Sequence, residues 1–322
     1  MNSEEQVGEA ALDTQSRAFL EGGRTSGAPN LEDMPVCEAR ARLRELMLSL
    51  DVERRDVARL EEAVIAAPDG SIPLRIYRPA ASAQEIRPIL LFFHGGAWVL
   101  GDLDSYDNTC RFLCVEGDVI VVSVGYRLAP EHRFPSALED CYAALQWAAR
   151  NALALGGDPA RVGVAGDSAG GNLAAAIALR SRSAGPPVTR QILVYPVLSL
   201  LDDAPYGSRL QFGDGDYFIS RTSIAWSIRL YLRTSDQALM PQASPILEPH
   251  MEGAPAALIV TAGYDPLRDE GRLYADRLLQ AGVPVTYRCY RSTIHGFMAF
   301  SGAIHVGLDA LRFVAAWMRE QL

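Results

Sequence analysis

The chain has 322 residues, 49% of them hydrophobic, with a formal net charge of −9 and a pI near 5.1. That length buries a sizeable core and is ordinary for one α/β catalytic domain. The acidic balance argues against nucleic-acid partners and anionic membrane surfaces, and no run approaches the ~18 apolar residues of a membrane span.

Met1 to Ala11 is acidic and polar rather than basic then apolar, so no secretory signal is expected and a cytoplasmic location is. Residues 1–30 are polar and rich in glycine and serine, and lead into an expected helix, Glu38 to Leu50. Strand-like runs follow at Glu62–Ala66, Leu74–Tyr77, Ile89–Phe93, Val119–Val124, Val162–Ala165, Gln191–Tyr195, Ala257–Thr261 and Val285–Tyr290. Asp69-Gly70 joins the first two as a hairpin turn. Helical patterns such as Ser136–Ala149 and Leu267–Gln280 separate later strands, which predicts βαβ units and a mostly parallel eight-stranded sheet flanked by helices. Leu200 to Ser235 breaks the rhythm with Gly213-Asp214-Gly215 and a helix near Thr222–Leu232. The final helix, Ala303 to Glu320, should pack on the sheet by its apolar face. The expected organisation is therefore a catalytic domain over 51–199 and 236–322, with 1–50 and 200–235 as helical cap segments above the site.

Five cysteines, Cys37, Cys110, Cys114, Cys141 and Cys289, form an odd and scattered set, which favours free thiols. Cys110 and Cys114 share a helix face with no histidine beside them, so core packing is expected there rather than metal. None lies in a glycine-flanked turn, which disfavours a thiol nucleophile.

Gly166-Asp167-Ser168-Ala169-Gly170 carries the chemistry. It reads G-x-S-x-G between a strand-like run and an alanine-rich helical one, the setting of a nucleophile elbow. The glycines allow strand and helix nearly to touch while Ser168 sits strained at the tip. A base must follow on a loop able to reach the serine. Of His250 in a proline-rich loop, His305 in the last helix and His295 in a loop after Val285–Tyr290, His295 fits best. The acid should end the preceding strand, which selects Asp265 over Asp269 and Glu270 in the first helical turn. Upstream, His94-Gly95-Gly96-Ala97-Trp98 follows a buried-strand run and offers backbone N–H groups from Gly95, Gly96 and Ala97 to an oxyanion, with Ala169 as a further donor. His94 precedes Ser168, out of order for a base, and is expected to brace its loop. Trp98, Phe218, Trp226 and Tyr231 are candidate pocket residues, with packing inside the cap as the competing reading.

These blocks, together with Tyr126-Arg127-Leu128-Ala129-Pro130-Glu131, Phe134-Pro135, Asp265-Pro266-Leu267-Arg268-Asp269-Glu270-Gly271 and His295-Gly296-Phe297, resemble the hormone-sensitive-lipase-like esterases of the α/β-hydrolase superfamily. The resemblance runs from about Glu38 to the end. It implies an α/β-hydrolase fold with Ser168 as nucleophile, His295 as base and Asp265 as orienting acid, and oxyanion donors at Gly96, Ala97 and Ala169. It also implies cis bonds before Pro130 and Pro135. Ala97 departs from the usual third glycine, a change that keeps the backbone donor. The implied activity is hydrolysis of short- to medium-chain carboxylic esters, with no metal or cofactor and a small-molecule ester as partner; a homodimer is left open. An amidase or lactonase using the same residues stays open, as does a non-catalytic small-molecule receptor, which the presence of His295 disfavours.

Overall fold

Ile89 to Phe93 is an unbroken apolar run and Ile120 to Val124 is interrupted only by Ser123, as expected of strands covered on both faces. In the computed structural model, which describes residues 10–67, 70–80, 86–201 and 206–322, both lie in the middle of one sheet with every side chain buried. In chain order the elements are α1 (Thr14–Thr25), α2 (Val36–Ser49), β1 (Arg59–Ala67), β2 (Gly70–Arg78), β3 (Arg87–Phe93), α3 (Asp107–Gly117), β4 (Ile120–Val124), α4 (Ser136–Asn151), β5 (Gly157–Asp167), α5 (Ala169–Ala184), β6 (Arg190–Val194), α6 (Gly207–Phe212), α7 (Arg221–Tyr231), β7 (Ala256–Tyr264), α8 (Arg268–Gln280), β8 (Val285–Ile294) and α9 (His305–Gln321). The sheet order is β1-β2-β4-β3-β5-β6-β7-β8. β2 is antiparallel to both its neighbours, and every other pairing is parallel. α3 packs on α9, α4 on α5, and α8 on β7 and β8. The expected α/β-hydrolase architecture is present. The hairpin register pairs Ala67 with Gly70; Asp69, expected in that turn, lies outside the described residues. No helix among the described residues is long and apolar enough to cross a membrane.

Register places the chemistry. Phe93 pairs with Gly166 across β3 and β5, and Asp167 with Val194 across β5 and β6. The carboxyl ends of three adjacent strands therefore open at one level, where parallel sheets gather their ligands.

The N-terminal segment forms a helix that its polar composition hid. Asp13 caps α1 by accepting from the Gln15 and Ser16 N–H groups at 3.0 and 2.8 Å. The helix is then tied to the end of β8. Asp13 N–H donates to Ser292 O at 2.7 Å, and the Ser16 and Thr293 hydroxyls meet at 2.8 Å. Phe19 stacks on Phe300 at 4.9 Å and meets the edge of Phe218 at 5.4 Å, joining α1 to the 200–235 segment.

That second segment is anchored by a buried ion pair. Arg209 of α6 donates to Glu270 Oε2 at 2.7 Å and to the carbonyls of Ser199 and Leu201 at 2.6 and 3.0 Å. Glu270 also accepts the Leu198 N–H at 2.9 Å. Burial pushes the Glu270 carboxyl up to about 7, against the pull of the Arg209 guanidinium. Removing one partner of such a pair leaves an uncompensated buried charge. Arg209→Met is therefore expected to cost about 3–5 kcal/mol, read as a lowered Tm in thermal denaturation, and Arg209→Met/Glu270→Leu should recover part of it. A Tm unchanged in the single variant would show that the pair does not hold the segment down.

Candidate active site

β5 ends at Asp167 and α5 begins at Ala169, so Ser168 alone makes the turn. Its φ of 53° and ψ of −117° fall outside the regions that L-residues prefer, a strain on the order of 1–3 kcal/mol. The surroundings fix it from both sides. Ser168 N–H donates to Val194 O at 2.9 Å, while Ser168 O accepts from Asn172 N and Val197 N at 3.1 and 3.2 Å. The side chain stays partly exposed at the positive end of α5, whose first turn carries no acidic residue.

The glycines of the motif are required by contact. A Cβ on Gly170 would lie 1.9 Å from Phe93 O and 2.6 Å from His94 O; one on Gly166 would lie 2.3 Å from Gly170 C.

Asp265 and His295 arrive from the ends of the last two strands, β7 and β8. His295 Nε2 is 3.0 Å from Ser168 Oγ, and His295 Nδ1 is 2.8 Å from Asp265 Oδ2. Asp265 is fully buried, and its Oδ1 accepts the Leu267 N–H at 2.8 Å. A buried carboxylate beside Nδ1 selects the tautomer with hydrogen there, which leaves the Nε2 lone pair facing the serine hydroxyl. The alternative acids are engaged elsewhere: Asp269 accepts from Ser208 N and Arg268, and Glu270 pairs with Arg209. The remaining histidines stand apart. His250 is exposed, and His305 bonds to Gln15 at 2.8 Å. His94 stacks on Tyr126 at 4.3 Å and reaches Gly95 O with Nδ1 at 2.7 Å; burial lowers its pKa to about 4, so it is a neutral brace.

The loop after β3 lies beside the elbow and turns through positive φ at Gly96, Ala97 and Trp98 (109°, 58° and 59°). Gly95 was expected as an oxyanion donor, and the structure corrects this. Its N–H is committed to Asp167 Oδ1 at 2.8 Å, with the Tyr106 hydroxyl at 3.1 Å. The N–H groups of Gly96, Ala97 and Ala169 donate to no acceptor among the described residues. Asp167 and Tyr106 went unrecognised in the sequence, although Asp167 stands within the motif as its variable position. Tyr195, whose ring lies 4.7 Å from His295, was read only as the end of a strand.

Two of the expected pocket residues also need correcting. Trp98 and Tyr231 are each 1% exposed and stack face to face at 4.4 Å, so their rings are packing partners between the loop and α7 rather than an open lining. Phe218 is half-buried and close to Gly296, next to His295; Trp226 is half-buried on α7. A cleft of about 270 Å³ bordered by Tyr264, Arg268, Arg272 and Arg291, and one of about 330 Å³ bordered by Arg44, Arg75 and Tyr126, both exclude Ser168. The bonds before Pro130 and Pro135 are cis, as the resemblance implied, and so is that before Pro186.

A mostly parallel sheet with a strand–serine–helix turn, and with histidine and aspartate delivered from the last two strand ends, defines the class as α/β hydrolase. The chain belongs to the alpha/beta hydrolase fold family, whose model matches residues 90–299, and within it to the hormone-sensitive-lipase-like branch. It is 40% identical to the carboxylic ester hydrolase LipN of Mycobacterium tuberculosis over 89% of this chain and 77% of the relative. It is 39% identical to the carboxylesterase NlhH of the same organism over 84% and 85% of the two chains. Among solved structures, a hyperthermophilic esterase from Pyrobaculum calidifontis superposes with a TM-score of 0.89 at 37% identity, covering 97% of this chain and 99% of that one. An ester-hydrolase from the metagenome of Lake Arreo, complexed with a bipyridine phosphonate derivative, gives 0.91 at 36%, covering 96% and 98%.

Gly170→Ala tests the closeness of the elbow. The added methyl meets two main-chain carbonyls that cannot rotate away. A stability loss of at least ~3 kcal/mol is expected in urea denaturation, at the upper end of overpacking costs. Wild-type stability would mean that β3 and α5 are not in contact there.

Proposed function

We propose that the protein is a serine carboxylesterase acting through an acyl-enzyme on short- to medium-chain esters. The observation that carries this reading is the unbroken line from Ser168 Oγ to His295 Nε2 at 3.0 Å and from His295 Nδ1 to Asp265 at 2.8 Å. The names of its relatives, carboxylic ester hydrolase, carboxylesterase and arylesterase, support it.

In this reading Ser168 Oγ attacks the ester carbonyl carbon as its proton passes to His295 Nε2. Buried Asp265 holds the imidazole and stabilises the imidazolium. The tetrahedral oxyanion accepts from the N–H groups of Gly96, Ala97 and Ala169 at the positive end of α5. The C–O bond to the alcohol then breaks, and His295 returns the proton to the leaving oxygen. Water gives a proton to His295 as it attacks the acyl carbon. That proton goes back to Ser168 Oγ as the acid departs.

Ser168→Ala should fold normally and lose on the order of 10⁶ in kcat on p-nitrophenyl butanoate, as removal of a triad nucleophile does elsewhere. A serine-directed phosphonate should add its mass at Ser168. Retained turnover in the alanine variant, or an adduct on another residue, refutes the assignment.

Acyl preference follows from the cover over the serine. We read the ring contacts of α1 and the 200–235 segment with Phe300, just after His295, as a cover that limits acyl depth, so kcat/KM should peak at roughly four to eight acyl carbons, each added methylene contributing ~0.8 kcal/mol only while it is buried. Faster hydrolysis of long-chain triglyceride emulsions than of soluble short esters would point to a lipase instead.

A further inference from the structure

The loop after β3 holds two successive non-glycine residues, Ala97 and Trp98, at φ of 58° and 59°. A loop in that state relaxes unless both ends are fixed. Its downstream end is held by packing and hydrogen bonds. Trp98 stacks on Tyr231, Trp98 O accepts Ala129 N at 2.9 Å, and Gly96 O accepts Val99 N and Leu100 N at 3.0 and 2.7 Å. Its upstream end is held at His94 O by the Tyr126 hydroxyl at 2.6 Å and at the Gly95 N–H by one carboxylate. Asp167 Oδ1 accepts the Gly95 N–H at 2.8 Å, and Oδ2 accepts the Tyr106 hydroxyl at 2.9 Å. A Cβ on Gly95 would fall 2.5 Å from Asp167 Oδ2 and 2.7 Å from the Tyr106 oxygen, so the main chain lies directly on this pair. Tyr195 OH reaches the same Oδ2 at 3.5 Å.

We propose that Asp167 is a positioning residue: by holding Gly95 and Tyr106 it locks the loop against the elbow so that the Gly96 and Ala97 N–H groups face the oxyanion formed at Ser168. The proposal rests on the esterase reading above. Asp167 is 3% exposed and has no arginine, lysine or protonated partner within bonding distance among the described residues. A neutral side chain would avoid the desolvation that raises its pKa to about 6. What a carboxylate offers here is two acceptor oxygens, one for a backbone amide and one for a phenol, which an aliphatic side chain lacks. Asp167 touches neither substrate nor Ser168 Oγ in this arrangement and acts through the loop.

The test uses the full chain with p-nitrophenyl butanoate as substrate and an alkyl trifluoromethyl ketone as a probe of the tetrahedral adduct. Asp167→Asn keeps one acceptor for Gly95 and loses the one for Tyr106. It should lower kcat by about 10²-fold, the scale for a compromised oxyanion donor, with KM within about threefold of wild type. The ketone's Ki should rise by the same factor as kcat falls, because both report the oxyanion. Asp167→Ala should lose more than Asp167→Asn, and Tyr106→Phe less. A folded Asp167→Asn enzyme with wild-type kcat, or one whose kcat falls while ketone affinity is untouched, overturns the proposal. If Asp167→Asn does not fold, Tyr106→Phe decides: unchanged kcat and ketone affinity reject it, and parallel losses support it. A wild-type enzyme that hydrolyses no ester and takes no phosphonate at Ser168 sinks the esterase reading and this proposal together. Wild-type labelling with an indifferent Asp167 sinks this proposal alone.

Discussion

The constraint on which the rest depends is the contact between the end of β3 and the start of α5. Phe93 O and His94 O lie where any side chain at position 170 would have to be. Only glycine permits that approach, and the approach does two things at once. It forces the chain through Ser168 in a single residue, which lifts the hydroxyl above the sheet. It also sets the loop beginning at His94 beside that hydroxyl, so the proposed nucleophile and backbone donors come from adjacent strands without any long-range reach. Gly171 extends the same closeness toward the next strand, with Pro196 Cβ 2.9 Å from where its own Cβ would be.

Around this contact the fold places its charges at seams. Asp140 of α4, fully buried, accepts from the Arg127 N–H at 2.9 Å and from the guanidinium at 2.7 Å, fixing the segment that enters the cis prolines. Arg40 of α2 bonds to Val99 O and Ala129 O at 2.8 and 2.9 Å and to Glu131 at 2.7 Å. Arg209 joins α6 to the start of α8. The Arg40 and Arg209 pairings join the 1–50 and 200–235 segments to the sheet domain, while Asp140–Arg127 lies within that domain. There the charged groups gain partners with directional demands that apolar packing would not impose. Segments distant in sequence are thereby held in one arrangement against the sheet domain.

Much of this was legible before any coordinates. Central strands announce themselves as apolar runs because both their faces are covered, and Asp265 and His295 could be placed because parallel sheets gather their ligands at strand ends. The strand boundaries were short at the edge strands β1 and β8, where polar residues on half-exposed faces blur the pattern, and also at β2, β5 and β7, whose ends carry polar residues or glycine. Helix α1 was missed although its signal is present. Asp13 is a capping residue, and Leu12, Ser16, Phe19 and Leu20 follow helical spacing. The glycines and serines in and around it dominated the composition, and only three of those four face partners carry an apolar side chain. What could not be read was pairing between distant residues. No local pattern says that Trp98 spends its face on Tyr231, or that Ser16 meets Thr293.

The misassignment of Gly95 shows where motif reasoning stops. A glycine-rich loop advertises several backbone donors, but each N–H has one hydrogen to give, and a buried one is seldom left unpaired. Gly95 donates inward to Asp167, so the donors open to a substrate begin one residue later. The same count explains why alanine serves at position 97. The residue there must accept a left-handed backbone, at a cost of roughly 1–2 kcal/mol for a side chain bearing a Cβ, but what the site draws on is its N–H. Glycine would remove that cost and widen the loop's freedom in the same step. An alanine held in place by anchors at both ends gives up some stability and keeps a narrower range of donor directions. In the proposed oxyanion site, which would work by preorganised dipoles, that is the property that would lower the barrier.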